Sequence, residues 1–509
     1  MEKQYRIELL DGEYWWGGAV ADGIHMPYGE KPFERKLTPN LTPNQAAPIL
    51  ISNKGRFVWS EEPFDFAFSK DLLEISNAKG DIQQGEGYFH LKDVYKAVQA
   101  KFFPPTGKLP EPLMFTSPQY NTWIELMYDQ EEEKILEYAE AIIANGMPPG
   151  ILMIDDNWQE DYGVWTFHPG RFNHPKKMVE RLHQMGFKVM LWTCPFVSPD
   201  SSVYRKLWAD GLLLKDEAGM PAIRQWWNGY SAILDLTNEG AVDWYQQQLD
   251  NLVESYNIDG FKFDAGDPVY YKDTDRSAVP THANGHAEEF AKLGRRNRLN
   301  EYRACWKMAG EPLGQRLCDK LHSWGDNGLG SLIPNGLAQG LMGYYFTCPD
   351  MIGGGEYQNF LANSDKLDQE LFVRYAQCSA LFPMMQFSAA PWRVLDHEHF
   401  GYCIEAAKLH ERLGNEILQI AENAALNGEP IIRHMAYMYP KEGFETVNDQ
   451  FMLGENILVA PVVTKGTTKR FVQFPSGTWQ DRDGIITQGP CNQLVEAPLS
   501  HLPWFRRVR

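Results

Sequence analysis

Near its start the chain alternates apolar and polar residues with period two. Tyr5-Arg-Ile-Glu-Leu9 does so, and Phe64, Phe66 and Phe68 are separated by Asp65 and Ala67. Alternation of this kind predicts strands with one face buried. Turn chemistry at Asp11-Gly12, Asn53-Lys-Gly55 and Lys79-Gly80 parts the pieces, so residues 1–110 are expected to form a β-rich domain. The Pro-rich stretch Phe103–Pro112 then reads as a linker. Beyond it the period changes. Between Glu131 and Ala144, Ile135, Leu136, Tyr138, Ala139, Ile142 and Ile143 share one side of a helix that Asn145-Gly146 stops. The apolar strand Gly150–Ile154 follows and ends on Asp155-Asp156. A second helix carries Met178, Val179, Leu182 and Met185 and stops at Gly186, ahead of the strand Phe187–Trp192. A third runs from about Glu239 to Tyr256 and leads into Gly260-Phe-Lys-Phe-Asp264. Helix, short apolar strand, then a polar residue at the strand's end is the grammar of a (β/α)₈ barrel. From residue 428 the pattern returns to strands, at Glu429–Arg433, Ile457–Pro461 and Arg470–Phe474. The fold class expected is therefore α/β, a barrel over residues 111–427 between the β-rich domain 1–110 and a C-terminal β-sandwich over 428–509.

At 509 residues the chain is too long for one core, which agrees with this division. No run of eighteen apolar residues exists, so no membrane span is expected, and Met1–Ile7 has no apolar stretch typical of a secretory leader. A formal charge of −19 argues against nucleic acid or an anionic membrane as partner. Seven dispersed cysteines without a C-x-x-C pair suit free thiols in a reducing cytoplasm. Histidines are scattered too; His397 and His399 in Asp396-His-Glu-His are a weak candidate for a metal site, and no metal or cofactor is expected. Trp15 and Trp16, read as exposed, make self-association an expectation.

The candidate chemistry lies in the carboxylates. Asp264 ends a buried strand between glycines 260 and 266, a costly place for an acid unless it is paired or used. The alternative is a carboxylate capping the next helix. Further acids stand at Asp155, Asp156, Asp319, Asp326 and Asp350, the last just before Gly353-Gly-Gly355. No Ser-His-Asp set, phosphate loop or dinucleotide fingerprint accompanies them. Several carboxylates among tryptophans on one barrel face suggest glycoside hydrolysis. One carboxyl then serves as nucleophile or base and another as proton donor. Two rivals remain: a non-catalytic carbohydrate-binding barrel, and a metal enzyme with Asp155, Asp264 and Asp350 as oxygen ligands.

Over about residues 112–509 the sequence resembles glycoside hydrolase family 31. Phe261-Lys-Phe-Asp-Ala-Gly-Asp267 is similar to the family's nucleophile strand. Trp227-Asn-Gly, leading to Asp235-Leu-Thr-Asn238, is similar to the stretch whose tryptophan lines the glycone subsite. Asp449–Gly454 with Ile457–Pro461 looks like the family's junction between barrel and sandwich. The resemblance implies that Asp264 is the nucleophile and that Asp155 holds distal hydroxyls of the sugar. For the acid/base, the family's spacing to an arginine and a tryptophan selects Asp319. Arg303 stands sixteen residues before it, Trp324 five after and Pro334 fifteen after. Asp326, in Trp324-Gly-Asp326, is the alternative, and Asp319 would then be a surface acid paired with Lys320 or Arg316. The implied mechanism is retaining, with the two carboxyls about 5–5.5 Å apart. Lys262 and Arg303 would keep Asp264 ionised and bind hydroxyls, and Trp227 would form an apolar wall.

The family's α-glucosidases place a histidine where this chain has Ser388 and an arginine where it has Gln386. Together with Asp155-Asp156, Tyr14–Gly18 and Met385–Trp392, this resembles the branch that holds bacterial α-galactosidases and myogenesis-regulating glycosidase. An exo-acting α-galactosidase is therefore implied, with α-glucoside, α-xyloside and sulfoquinovoside as alternatives. Asp156 and Trp324 join Asp155, Trp227, Lys262 and Arg303 as expected substrate contacts, and the partner is an oligosaccharide or small glycoside.

Overall fold

The computed structural model describes residues 4–508; residues 1–3, part of the segment read for a leader, lie outside them. Its centre is a ring of eight parallel strands. These are β1 (Gln119–Asn121), β2 (Ile151–Ile154), β3 (Lys188–Thr193), β4 (Gly260–Phe263), β5 (Leu299–Tyr302), β6 (Gln315–Arg316), β7 (Thr347–Cys348) and β8 (Gln386–Phe387). They pair in the order β7-β6-β5-β4-β3-β2-β1-β8. At the seam between β7 and β8 no ladder forms; the Ile352 N–H donates to the Gln386 carbonyl at 2.8 Å instead. The barrel expected from the helix–strand grammar is present.

The helices read from periodicity lie at Glu132–Ala144, Pro175–Gln184 and Glu239–Tyr256. Asn238 caps the third, its side chain accepting from the Gly240 N–H, and Asn257 ends it in the left-handed region at φ 60°. The later helices were not legible. Leu332–Leu341 is buried at every position, so it carries no amphipathic stripe.

The register explains why Phe261-Lys-Phe-Asp264 alternates. Lys262 lies beside Trp192 on β3 and Glu301 on β5, while Phe263 lies beside Tyr302. The Phe263 and Tyr302 rings stack at 4.8 Å and meet Phe290 of the helix Ala283–Leu293. Phenylalanines thus face the helical layer, and Lys262 and Asp264 face the barrel axis and mouth. Gly266 sits where a Cβ would lie 2.1 Å from the Phe290 ring. Gly266→Ala is therefore expected to cost about 1–3 kcal/mol by forcing that ring aside. The check is a lower urea midpoint with an unchanged slope.

The N-terminal β domain holds two four-stranded antiparallel sheets. One pairs Tyr5–Glu8, Leu72–Ser76, Asp65–Ser69 and Phe33–Arg35; the other pairs Trp15–Ala19, Ala46–Ser52, Phe57–Trp59 and Gln83–Gly85. A helix, Leu91–Phe102, closes the segment expected to be β-rich throughout. Trp15 and Trp16 are each only 1% exposed, which overturns their expected exposure. Their strand is covered on both faces: Trp15 lies 6.5 Å from Phe68 and Trp16 lies 5.4 Å from His434. The stretch Phe103–Pro112 is held as a strap, with Gly107 N–H donating to Ala425 O and Glu111 N–H to Arg298 O. The C-terminal β domain is a six-stranded antiparallel sheet whose long strand Lys469–Gln480 is bent by a bulge between Phe474 and Gly477. Among the described residues no helix is long and apolar enough to cross a membrane.

The loop joining the two N-terminal sheets reaches the barrel mouth. Asn284 accepts from the Asn40 N–H and donates to Leu37 O. Gln45 donates to the carbonyls of Arg303 and Arg316.

Candidate active site

At the C-terminal ends of the strands lies a cavity of about 420 Å³, within the range of about 300–1,000 Å³ usual for small-ligand sites. Asp155, Asp156, Trp227, Lys262, Asp264, Arg303 and Asp319 all line it. Four of them follow from the same geometry: Asp155 comes directly after β2, Asp264 after β4, Arg303 after β5 and Asp319 three residues past β6.

Asp264 is the centre of the charge network. Its Oδ1 accepts from Arg303 Nε at 3.2 Å and Nη2 at 3.1 Å, and from the Ala265 N–H at 2.9 Å. Its Oδ2 accepts from the Trp192 indole at 3.1 Å, and Lys262 Nζ stands 3.9 Å away. Ala265 follows with φ 60°, a left-handed turn that carries the chain away from the mouth. Burial would raise the Asp264 pKa, but Arg303 first and then Lys262 reverse this and hold it well below the usual carboxylate range. Burial alone would likewise discharge Lys262; Asp155, accepting from Nζ at 2.7 Å, keeps it charged. Arg303 is shared with Asp267 through 2.9 and 2.7 Å bonds and donates to the Pro43 carbonyl. Its guanidinium lies 6.0 Å from the Trp227 ring centre, a cation–π contact.

Asp319 is paired with Arg316, whose Nη1 donates to Oδ1 at 2.8 Å, and it still faces the cavity with its side chain 38% exposed. Among the described residues no hydrogen bond ends on its Oδ2. Arg316 is buried and also binds Glu301 and Asp350. Asp350 is enclosed by Arg316 and the N–H groups of Lys320 and Gly355, so it does not converge with Asp155 and Asp264 as the metal-site reading required. His399 pairs with Asp396 at an exposed helix start.

Asp326 is exposed and lies outside the cavity lining. Trp324 is also outside it, contrary to its expected contact with substrate. The chain turns away after Asp319, and the Trp324 indole donates to Asp368 Oδ2 at 3.0 Å. Ser388 and Gln386 do not reach the cavity either. Ser388 Oγ accepts from the Ile124 N–H, and Gln386 donates to Glu301.

Several site residues were not picked out from the sequence. Trp192 could have been, since it stands near the end of a legible strand. Asp267 lay within the quoted nucleophile motif. Asn40–Pro43, Trp123, Glu356 and Tyr357 also line the cavity, and no local signal marked them.

Asp156 sits at the buried end. Its carboxylate accepts from Gln159, Tyr162, Asn228 and the Asn157 N–H. Burial, with Asp155 beside it, outweighs these donors and pushes its pKa up to about 7. Because the folded value exceeds the unfolded one near 3.8, the stability from its neutral form is full below that value and is lost as pH rises to about 7. Asp156→Asn should flatten this part of the pH dependence. Melting temperatures of both proteins between pH 5 and 8 provide the check.

Residues 112–409 match the model of the glycosyl hydrolases family 31 TIM-barrel domain, and residues 428–508 match that of the family's C-terminal domain. The chain belongs to glycoside hydrolase family 31. Myogenesis-regulating glycosidase of Mus musculus is 32% identical over 421 residues, covering 80% of this chain and 58% of that protein. Alpha-glucosidase 2 of Bacillus thermoamyloliquefaciens is 26% identical over 475 residues, covering 87% of this chain and 58% of that protein. The chain thus spans somewhat over half the length of these relatives. Among solved structures, a family 31 alpha-xylosidase from a soil metagenome, complexed with xylose, superposes with a TM-score of 0.86 at 20% identity. The match covers 100% of this chain and 79% of that one.

Proposed function

We propose that this chain is a retaining, exo-acting α-glycosidase, with Asp264 as nucleophile and Asp319 as acid/base. The observation that carries this is the shared cavity of two differently treated carboxyls. Asp264 is held anionic by Arg303 and Lys262, and Asp319 presents Oδ2, on which no hydrogen bond ends among the described residues. Asp264 attacks the anomeric carbon while Asp319 protonates the departing oxygen, and Asp319 then takes a proton from the water that releases the sugar. The buried end, where Asp155, Asp156 and Lys262 meet, offers polar partners to the far hydroxyls of one sugar, as an exo-acting site requires.

The finer reading is α-galactoside hydrolysis. It is supported by the paired acids Asp155 and Asp156, two acceptors at different positions for an axial O4, and by Ser388 and Gln386 in place of the α-glucosidase residues. Relatives named alpha-glucosidase and alpha-xylosidase keep those sugars as alternatives. All seven cysteines are free, which supports a reducing, cytoplasmic setting. The test is hydrolysis of p-nitrophenyl α-galactoside, α-glucoside and α-xyloside, repeated after EDTA. Turnover of the galactoside alone, unchanged by EDTA, is expected. Preference for another sugar overturns the galactoside reading, and no turnover favours a binding protein.

A further inference from the structure

We infer that the leaving group of the substrate is apolar, an alkyl or aryl aglycone and not a second sugar; this rests on the glycosidase reading of the same cavity. The buried end of the cavity is polar: Asp155, Asp156 and Lys262 are almost wholly enclosed. A sugar recognised there points its aglycone outward, through the mouth. At that mouth stand three apolar side chains from three separate segments. Leu41 of the N-terminal loop is 65% exposed, Val269 after β4 is 56% exposed, and Trp227 is 45% exposed. Exposed aliphatic groups gathered at the rim of a polar pocket are costly to leave in water and gain by being covered.

A sugar aglycone would instead need hydrogen-bond partners, and many of the polar atoms beside this rim are already engaged. Thr42 Oγ1 donates to Asn40 Oδ1 at 2.8 Å, and the Asn40 amide turns back to Thr42 O. Both oxygens of Asp267 accept from Arg303. The Asn228 amide donates to Asp156 and Tyr162, and its oxygen accepts from Tyr128. One oxygen of Glu356, Oε2, accepts from the Asn359 N–H at the start of its own helix. Drawing any of these bonded atoms toward a hydroxyl breaks an existing bond, so the exchange gains little. Covering Leu41 and Val269 breaks none.

The experiment compares methyl and hexyl α-glycosides of the sugar selected by the aryl panel, with the matching disaccharide alongside. The two alkyl leaving groups have nearly equal basicity, so their ratio reports contact and not bond strength. At roughly fourfold per fully buried methylene, partial burial of the longer chain is expected to raise kcat/KM about tenfold. In the Leu41→Ser, Val269→Ser double variant the hexyl-to-methyl ratio should fall toward one. The methyl glycoside in that same variant serves as the control for folding. A ratio near one in the original protein, an unchanged ratio in the variant, or a preference for the disaccharide overturns the inference. If no aryl glycoside is turned over, the glycosidase reading itself fails. The same ratio, read for all three sugars from tryptophan fluorescence on binding, then decides the rim: hexyl preference upholds it, and equal or absent binding ends it.

Discussion

Asp264→Ala is expected to lower kcat by about 10⁴-fold or more, the largest effect of any single substitution in this chain. Folding should survive the change, because neither cation is left alone. Arg303 keeps both bonds to Asp267, and Lys262 keeps its 2.7 Å bond to Asp155. The space opened by the missing carboxylate also allows a chemical rescue. With an aryl glycoside, azide would enter on the Asp264 side and form the C1–N bond as the C1–O bond breaks. The electron pair leaves on the phenolate, which takes its proton from Asp319 or water. One displacement inverts the anomeric centre, so the product is the β-glycosyl azide, identified by its NMR coupling constant. Activity within tenfold of the original protein, or an α-azide from this variant, would remove Asp264 from the nucleophile's role.

Asp319→Ala should split substrates by their leaving groups. An alkyl glycoside, whose alkoxide needs a proton as it departs, is expected to lose about 10³-fold in kcat/KM. A 2,4-dinitrophenyl glycoside leaves without that help and should lose little in its first step. Its second step, now lacking a base, would become limiting and would be accelerated by azide. That product passes through the Asp264 adduct and two displacements, so it is the α-glycosyl azide. Equal losses for both leaving groups would sink the assignment. Asp326→Ala is the companion measurement and should change neither substrate, because Asp326 is exposed outside the cavity. The pH profile adds a further check. Because Arg303 and Lys262 hold Asp264 below the usual carboxylate range, it stays ionised as pH falls toward 4. Acid loss of kcat/KM in that range then belongs to other groups.

The barrel was legible for a local reason. A strand buried on one side and facing the axis on the other writes period two into Phe261-Lys-Phe-Asp264, and its flanking helix writes period 3.6 into Glu239–Tyr256. Every such strand ends at the same rim, so Asp155 and Asp264 could be placed together from the sequence. Asp319 was implied by the resemblance to the family, through its spacing from Arg303 and Trp324, and the structure puts Asp319 and Arg303 at that rim.

What failed to show locally was whatever depends on two covered faces or on distant segments. Trp15 and Trp16 could not be read as buried, because the groups covering them include Phe68 and His434, far along the chain. Trp324 matched a spacing, yet its indole is taken by Asp368, whose position no neighbouring residue announces. By itself, then, the sequence determined the barrel, its mouth and the acids Asp155 and Asp264 there, since each rests on periodicity within a few turns of chain. Only the tertiary structure decided which polar groups remain open to a ligand. Hydrogen bonds and ion pairs across the fold, such as Arg303 to Pro43 and Arg316 to Asp319 and Asp350, consume donors and acceptors that look equally available in one dimension.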